Sequence, residues 1–125
     1  MKLDVLVVDD CRDMRETVAA ILQRQGLEVA LAENGQAALA LLARGAEPGL
    51  IILDLRMPVM DGWAFLEACR DRPARLKRTV VASSLARPAE LARIRADYGC
   101  RTMDKPFDIE ALIRIAHEAC SKLAA

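Results

Sequence analysis

Leu50, Ile51, Ile52 and Leu53 form an unbroken apolar run that Asp54 closes. A run with no polar face suits a strand covered on both sides, as in a parallel sheet flanked by helices. Pro58 and the Asp61-Gly62 pair then punctuate a loop before the next helix. In open α/β sheets, chemistry collects at the carboxyl ends of such strands. The rest of the chain therefore bears on one question, which side chains meet Asp54.

A second run ends the same way. Leu3 to Val8 is apolar apart from Asp4 and closes on Asp9-Asp10. Met14, Val18, Ile21 and Leu22 then repeat at helical spacing, and Gly26 is placed to stop that helix. Leu27 to Ala32 alternates apolar and polar residues, as an edge strand does. Asn34-Gly35 marks a turn, a second helix carries Ala38, Leu41 and Leu42, and Gly45 ends it. A third helix from about Trp63 to Arg70 buries Phe65, Leu66 and Cys69, and Pro73 breaks the chain beyond it. Thr79 to Ser83 is the fourth strand. The fourth helix begins near Pro88 with Leu91 and Ile94 inward. Arg101 to Asp104 is the fifth strand. Asp108 caps a fifth helix whose apolar face is Ile109, Leu112, Ile113 and Ala116.

Five strands alternating with five helices predict a doubly wound α/β fold with a parallel sheet. Right-handed crossovers restrict its topology. The flavodoxin-like order 2-1-3-4-5 is adopted as a template. It sets the first and third strands side by side at the switch point. Asp9, Asp10 and Asp54 then end neighbouring strands at one edge. A chain of 125 residues predicts one domain, 1–125.

Three carboxylates in one crevice repel each other, so cations must offset them. Oxygen ligands suit a hard divalent ion, with Mg²⁺ the expected one. Lys105 ends the fifth strand at the same edge and offers a point charge to a phosphate. Ser83 ends the fourth and offers a hydroxyl. Together these residues make a place for phosphoryl transfer by position and electrostatics. Each alone has a plainer role as a helix cap, a strand-end hydrogen bonder or a solvated lysine. Their joint occurrence at successive strand ends favours the functional reading.

Other features exclude function classes. Net charge is zero, which gives no long-range field toward nucleic acid or a membrane. The apolar runs are too short to span a bilayer, and the start MKLDVLVVDD is too acidic for a signal peptide. Cys11, Cys69, Cys100 and Cys120 are widely spaced and read as reduced thiols in a cytoplasmic protein. Cys11 follows the acidic pair, near the expected metal, and no redox role is assigned to it. His117 has no partner acid in view and reads as a surface residue. The basic stretch from Arg70 to Arg78 reads as a solvated connection.

The set VLVVDD at 5–10, DLRMPVMDG at 54–62, VVASS at 80–84 and KPF at 105–107 resembles a bacterial response-regulator receiver domain, a component of two-component phosphorelays. The resemblance spans nearly the whole sequence. It implies that Asp54 accepts a phosphoryl group from a histidine kinase or a histidine phosphotransfer protein. It implies that Asp10 and Asp54 bind Mg²⁺ directly, Asp9 through water, with the Arg56 backbone carbonyl completing the protein ligands. Ser83 would bond the phosphoryl group and Lys105 would pair with it. The face of the fourth helix, fifth strand and fifth helix would change and be read by a downstream protein. Such a domain catalyses only its own phosphorylation and dephosphorylation.

The sequence departs from the family in two places. Thr102 stands where an aromatic residue is usual, three before Lys105, and the segment from Gly99 to Lys105 is one residue short. Tyr98 is out of register and reads as packing. Ser84 is an alternative to Ser83 as the hydroxyl. Arg56 and Leu85 hold positions that tune phosphoryl lifetime in the family, and Arg56 is expected to restrict the attacking water. Two further readings are a phosphate-independent interaction module and a small Mg²⁺-dependent phosphatase; the chain has no room for the latter's substrate-binding insertion. Whether the protein works alone or is a piece of a longer regulator stays open.

Overall fold

The computed structural model describes residues 3–84, 86–105 and 108–120. In chain order these form β1 (Val5–Val8), α1 (Arg12–Gln23), β2 (Val29–Ala32), α2 (Gly35–Ala43), β3 (Leu50–Leu53) and α3 (Gly62–Ala68). They continue as α4 (Pro73–Lys77), β4 (Thr79–Ser83), α5 (Pro88–Tyr98), β5 (Arg101–Asp104) and α6 (Ile109–Ala119). All strand pairs are parallel and the order is β2-β1-β3-β4-β5, the predicted doubly wound topology.

Alternation along the central strands divides the core in two. Leu6, Val8, Ile51, Leu53 and Val81 face α2, α3 and α5, where Leu42, Phe65, Leu66 and Ile94 are buried. Val5, Val7, Leu50, Ile52 and Val80 face α1 and α6, where Val18, Leu22, Leu112 and Ala116 are buried. Each face depends on helices from distant parts of the chain. β2 is an edge strand, as its polarity predicted.

The described residues hold six helices, not the predicted five. The additional one is α4, where Pro73 opens a short turn instead of breaking the chain. Proline suits this place, because a first-turn N–H has no intrahelical partner to lose. Leu76 anchors α4 in the core, and the Thr79 hydroxyl donates to the Arg75 carbonyl at 2.9 Å. The predicted fourth and fifth helices are therefore α5 and α6. Asn34-Gly35 is not a free turn. The Asn34 side chain accepts the Ala37 N–H at 2.8 Å and caps α2, with Gly35 as its first residue. Ile109 is 53% exposed and lies outside the core, at the first residue of α6. Gly26 and Gly45 take φ of 81° and 97° where α1 and α2 end, a conformation glycine adopts without steric cost.

One buried acid escaped the sequence reading. Asp4, in the first apolar run, is fully buried, and its Oδ2 accepts the Glu28 N–H at 2.8 Å.

Candidate functional site

The β1–β3 register pairs Val8 with Leu53, so Asp9 and Asp54 leave the sheet side by side. The Asp54 N–H donates to the Val8 carbonyl at 2.9 Å and continues the ladder one step past the strands. Both acids are buried and Asp10 is exposed. Carboxylate oxygens of Asp9, Asp10 and Asp54 lie within 4.8 Å of one another. The donor set is all oxygen, so it fits a hard divalent cation and not a soft one.

Lys105 enters from the other side of the sheet. β4 pairs Ser83 with Asp104, so the next residue on β5 rises at the same edge. Its Nζ bonds Asp9 Oδ2 at 2.5 Å and lies 3.6 Å from Asp54 Oδ1, and only 10% of its side chain is exposed. The third and fifth strands thus meet through one ammonium. Burial pushes the Asp54 carboxyl above its usual 3.8. Lys105 opposes that shift, as does the Leu55 N–H, which donates to Asp54 Oδ1 at 2.9 Å; Asp9 and Asp10 add to it. Asp9 is also held from below, where its Oδ1 accepts the Cys11 N–H at 3.0 Å. The Arg15 guanidinium donates to its carbonyl at 2.8 Å.

These residues border one cavity of about 530 Å³ together with Ser83, Ser84 and Arg56. Ser83 is buried and Ser84 exposed. Every proposed site residue therefore meets the same space. Cys11, which follows the acidic pair, lines it too, and so does Met14, which its position in the sequence did not signal. The predicted KPF segment lies outside the described residues after Lys105, and so does Leu85.

The loop after β3 is built around close backbone approach. Gly62 donates its N–H to the Leu55 carbonyl at 3.0 Å, and a Cβ there would stand 2.4 Å from the Asp54 carbonyl oxygen. Asp61 caps α3 by accepting the Ala64 N–H at 2.9 Å. Before them Val59 sits at φ 68° with 78% exposure, a left-handed backbone that a β-branched residue rarely adopts. The Arg56 side chain turns away from the acids, and its Nη2 meets both Glu90 oxygens at 3.1 and 3.0 Å.

A model of the response regulator receiver domain matches residues 5–117, most of the chain. The chain belongs to the response regulator receiver domain family. Among its relatives, a 14.6 kDa protein of Leptolyngbya boryana is 34% identical over 124 residues, covering 95% of this chain and 91% of that protein. The response regulator MprA of Mycolicibacterium vanbaalenii is 38% identical over 120 residues, covering 90% of this chain and 48% of its own length. The receiver domain thus spans about half of MprA. The chemotaxis protein CheY4 of Vibrio cholerae superposes with a TM-score of 0.79 at 30% identity, covering 95% of this chain and 99% of that one. Receiver domains are signalling domains of two-component systems rather than metabolic enzymes. They bind Mg²⁺ at an acidic pocket and interact with histidine kinases and effectors. Among the described residues no helix is long and apolar enough to cross a membrane.

The residues near the β5 end of the sheet that bear on the expected aromatic position are Thr102 and Tyr98. Thr102 on β5 is partly buried and accepts the Arg95 guanidinium at 2.8 Å. Tyr98 packs between α5 and α3, as expected for a packing residue. Its hydroxyl donates to Glu67 at 2.7 Å, and its ring lies 6.5 Å from that of Trp63.

Proposed function

We propose that the chain, read as one receiver domain over 1–125, is a phosphorylatable switch in which Asp54 accepts a phosphoryl group. One observation carries this reading: a lysine with 10% of its side chain exposed bridges two buried strand-end acids at the floor of an open cavity. An ion pair kept only for stability gains little over an apolar contact. Here it lies beside an exposed third acid and two serines, where an anion could enter.

In the transfer, an Asp54 carboxylate oxygen attacks phosphorus of a phosphohistidine. The new bond joins that oxygen to phosphorus. The phosphorus–nitrogen bond breaks and its electron pair leaves with the imidazole. Lys105 pairs with the incoming charge, and the Ser83 hydroxyl donates to a phosphoryl oxygen. Ser83 is preferred over Ser84 because it is the last β4 residue, in register with the strand that carries Lys105. Asp9, Asp10, Asp54 and the Arg56 carbonyl would hold Mg²⁺. When bound, that ion offsets the carboxylates and the charge on the transferring group. The expected donor is a histidine kinase or histidine phosphotransfer protein, met in the cytoplasm. The output is a protein partner reading α5, β5 and α6.

The test is intact mass after incubation with acetyl phosphate, with and without Mg²⁺, on wild type and Asp54→Asn. The expected result is one metal-dependent phosphoryl group on wild type and none on the variant. No gain in wild type, with no Mg²⁺ binding, would leave the phosphate-independent interaction module.

A further inference from the structure

The basic stretch from Arg70 to Arg78 is more than a solvated connection. It carries α4, and it gathers charge at the end of the sheet opposite the acids. The Ile51 N–H donates to the Arg78 carbonyl at 2.9 Å, which fixes Arg78 just before β4. β4 pairs Val80 with Arg101, so Arg101 opens β5 close by. Lys77, Arg78 and Arg101 border one cavity of about 200 Å³, together with Gly49 before β3 and with Glu118 and Ala119 of α6. Gly49 shapes it. A Cβ there would stand 3.0 Å from the Ala119 carbonyl oxygen and 3.1 Å from Cys120 Sγ. A glycine therefore lets the end of α6 close on the start of β3, and the cations border a recess instead of an open face.

The positive charge of this recess is poorly matched. Arg101 meets Glu118 at 3.6 Å with both side chains more than half exposed, a pair worth little. Among the described residues Lys77 has no carboxylate partner. Arg78 reaches Glu47 with Nη2 at 3.0 Å, but its Nε is buried with no acceptor. A buried donor of that kind marks a place where an acceptor is missing. Arg75, with 10% of its side chain exposed, draws on the same Glu47 at 3.5 Å, so one carboxylate serves two guanidiniums. Glu118 and the carbonyl end of α6 oppose an anion, and the cations outnumber them. We propose that this recess is a binding site for a small soluble phosphate-bearing dianion, such as a diphosphate. A guanidinium fork matches paired phosphate oxygens, and the Lys77 ammonium adds a point charge. The volume falls below the about 300–1,000 Å³ of pockets that take drug-sized ligands, so it suits one or two phosphate groups and not a membrane surface. The site does not depend on the acceptor reading, since Asp54 ends its strand at the opposite edge.

The experiment titrates inorganic pyrophosphate into the ¹⁵N-labelled full chain without divalent metal, at ionic strength held constant with chloride, and follows backbone amide shifts. The expected result is saturable movement of Gly49, Lys77, Arg101 and Ala119, half complete below about 1 mM. The double variant Lys77→Met/Arg101→Met keeps Arg78 and its bonds, and should weaken binding at least about tenfold. Glu118→Gln removes the opposing acid and should tighten it about two- to fivefold, the range of an exposed charge contact. This second variant gives an answer even if the double variant folds poorly. Shifts centred on Ser83 and Lys105 would place the anion at the phosphoryl site and overturn the proposal. Drift that never saturates would overturn it too, as would weaker binding in Glu118→Gln or unchanged affinity in a folded double variant. A parallel arm sediments the protein with phosphatidylcholine vesicles containing phosphatidylglycerol. Capture by those vesicles without a saturable pyrophosphate response would assign the charge to a lipid surface and overturn the soluble ligand.

Discussion

Replacing Gly62 by alanine tests whether the backbone of the β3–α3 loop sets the position of Asp54. The added Cβ would meet the Asp54 carbonyl oxygen at 2.4 Å, Leu55 Cα at 2.8 Å and Leu55 Cδ2 at 3.1 Å. Two of these atoms are backbone, so no rotamer change relieves the contact. Either the Asp54-Leu55 peptide moves or the start of α3 lifts, and the Gly62 N–H bond to the Leu55 carbonyl is strained in both cases. Overpacking of this kind costs about 1–3 kcal/mol, and a contact this short belongs at the upper end. Alanine returns up to about 1 kcal/mol through better helix propensity. The net expectation is a loss of about 2 kcal/mol, or roughly 6–10 °C in Tm for a domain of this size. Urea denaturation measures the loss. A Mg²⁺ titration of Tm on the same variant reads the displacement of Asp54, which should weaken the stabilisation by metal. A Gly62→Ala protein as stable as wild type, with an unchanged response to Mg²⁺, would refute the argument.

Three other perturbations have defined outcomes. In metal-free buffer, Asp54→Asn should be more stable than wild type at neutral pH. Because burial raises the Asp54 pKa in the folded protein, the acid's contribution is fully present below 3.8 and is lost as pH rises through the raised value. The advantage of asparagine should therefore grow across that window and then level off, as denaturation at several pH values would show. Lys105→Met leaves the buried carboxylates of Asp9 and Asp54 without their ammonium and should cost about 3 kcal/mol in urea denaturation at neutral pH. Val59→Gly should raise stability by about 0.5–1 kcal/mol in the same assay. The relief of a left-handed β-branched residue, about 1–2 kcal/mol, exceeds the chain entropy glycine adds, and an exposed valine gives up no packing.

The strands were readable because burial on both faces leaves apolar runs that stop where polar residues begin, as at Leu53-Asp54 and Val8-Asp9. The order of the sheet then brings the acids together, and Lys105 joins them because β5 ends at the same edge. The features that escaped notice depend on partners far apart in the chain. Glu90 looks like any surface acid until α5 is set beside the loop carrying Arg56. Asp4 reads as an interruption of an apolar run, and only the approach of Glu28 explains it. The helix α4 offers Leu76 as its buried apolar anchor, too little for a period to register. Ile109 fits the helical period of α6, but periodicity does not say which positions of the first turn find a partner in the core.

The division of the core between the two sheet faces also shapes how the protein must be made. Leu112, Ala116 and Cys120 of the last helical stretch cover the same face as Val5 and Val7 of the first strand. At a synthesis rate of roughly 5–20 residues per second, the ribosome finishes β4 roughly two to seven seconds before it reaches Cys120. For that interval α1 alone covers this face, and the part that α6 will cover stays open. The ammonium that joins Asp9 to Asp54 belongs to the same late segment. Sheet and site therefore both wait on the segment that carries β5 and α6, and until it is made the uncovered apolar face suits a chaperone.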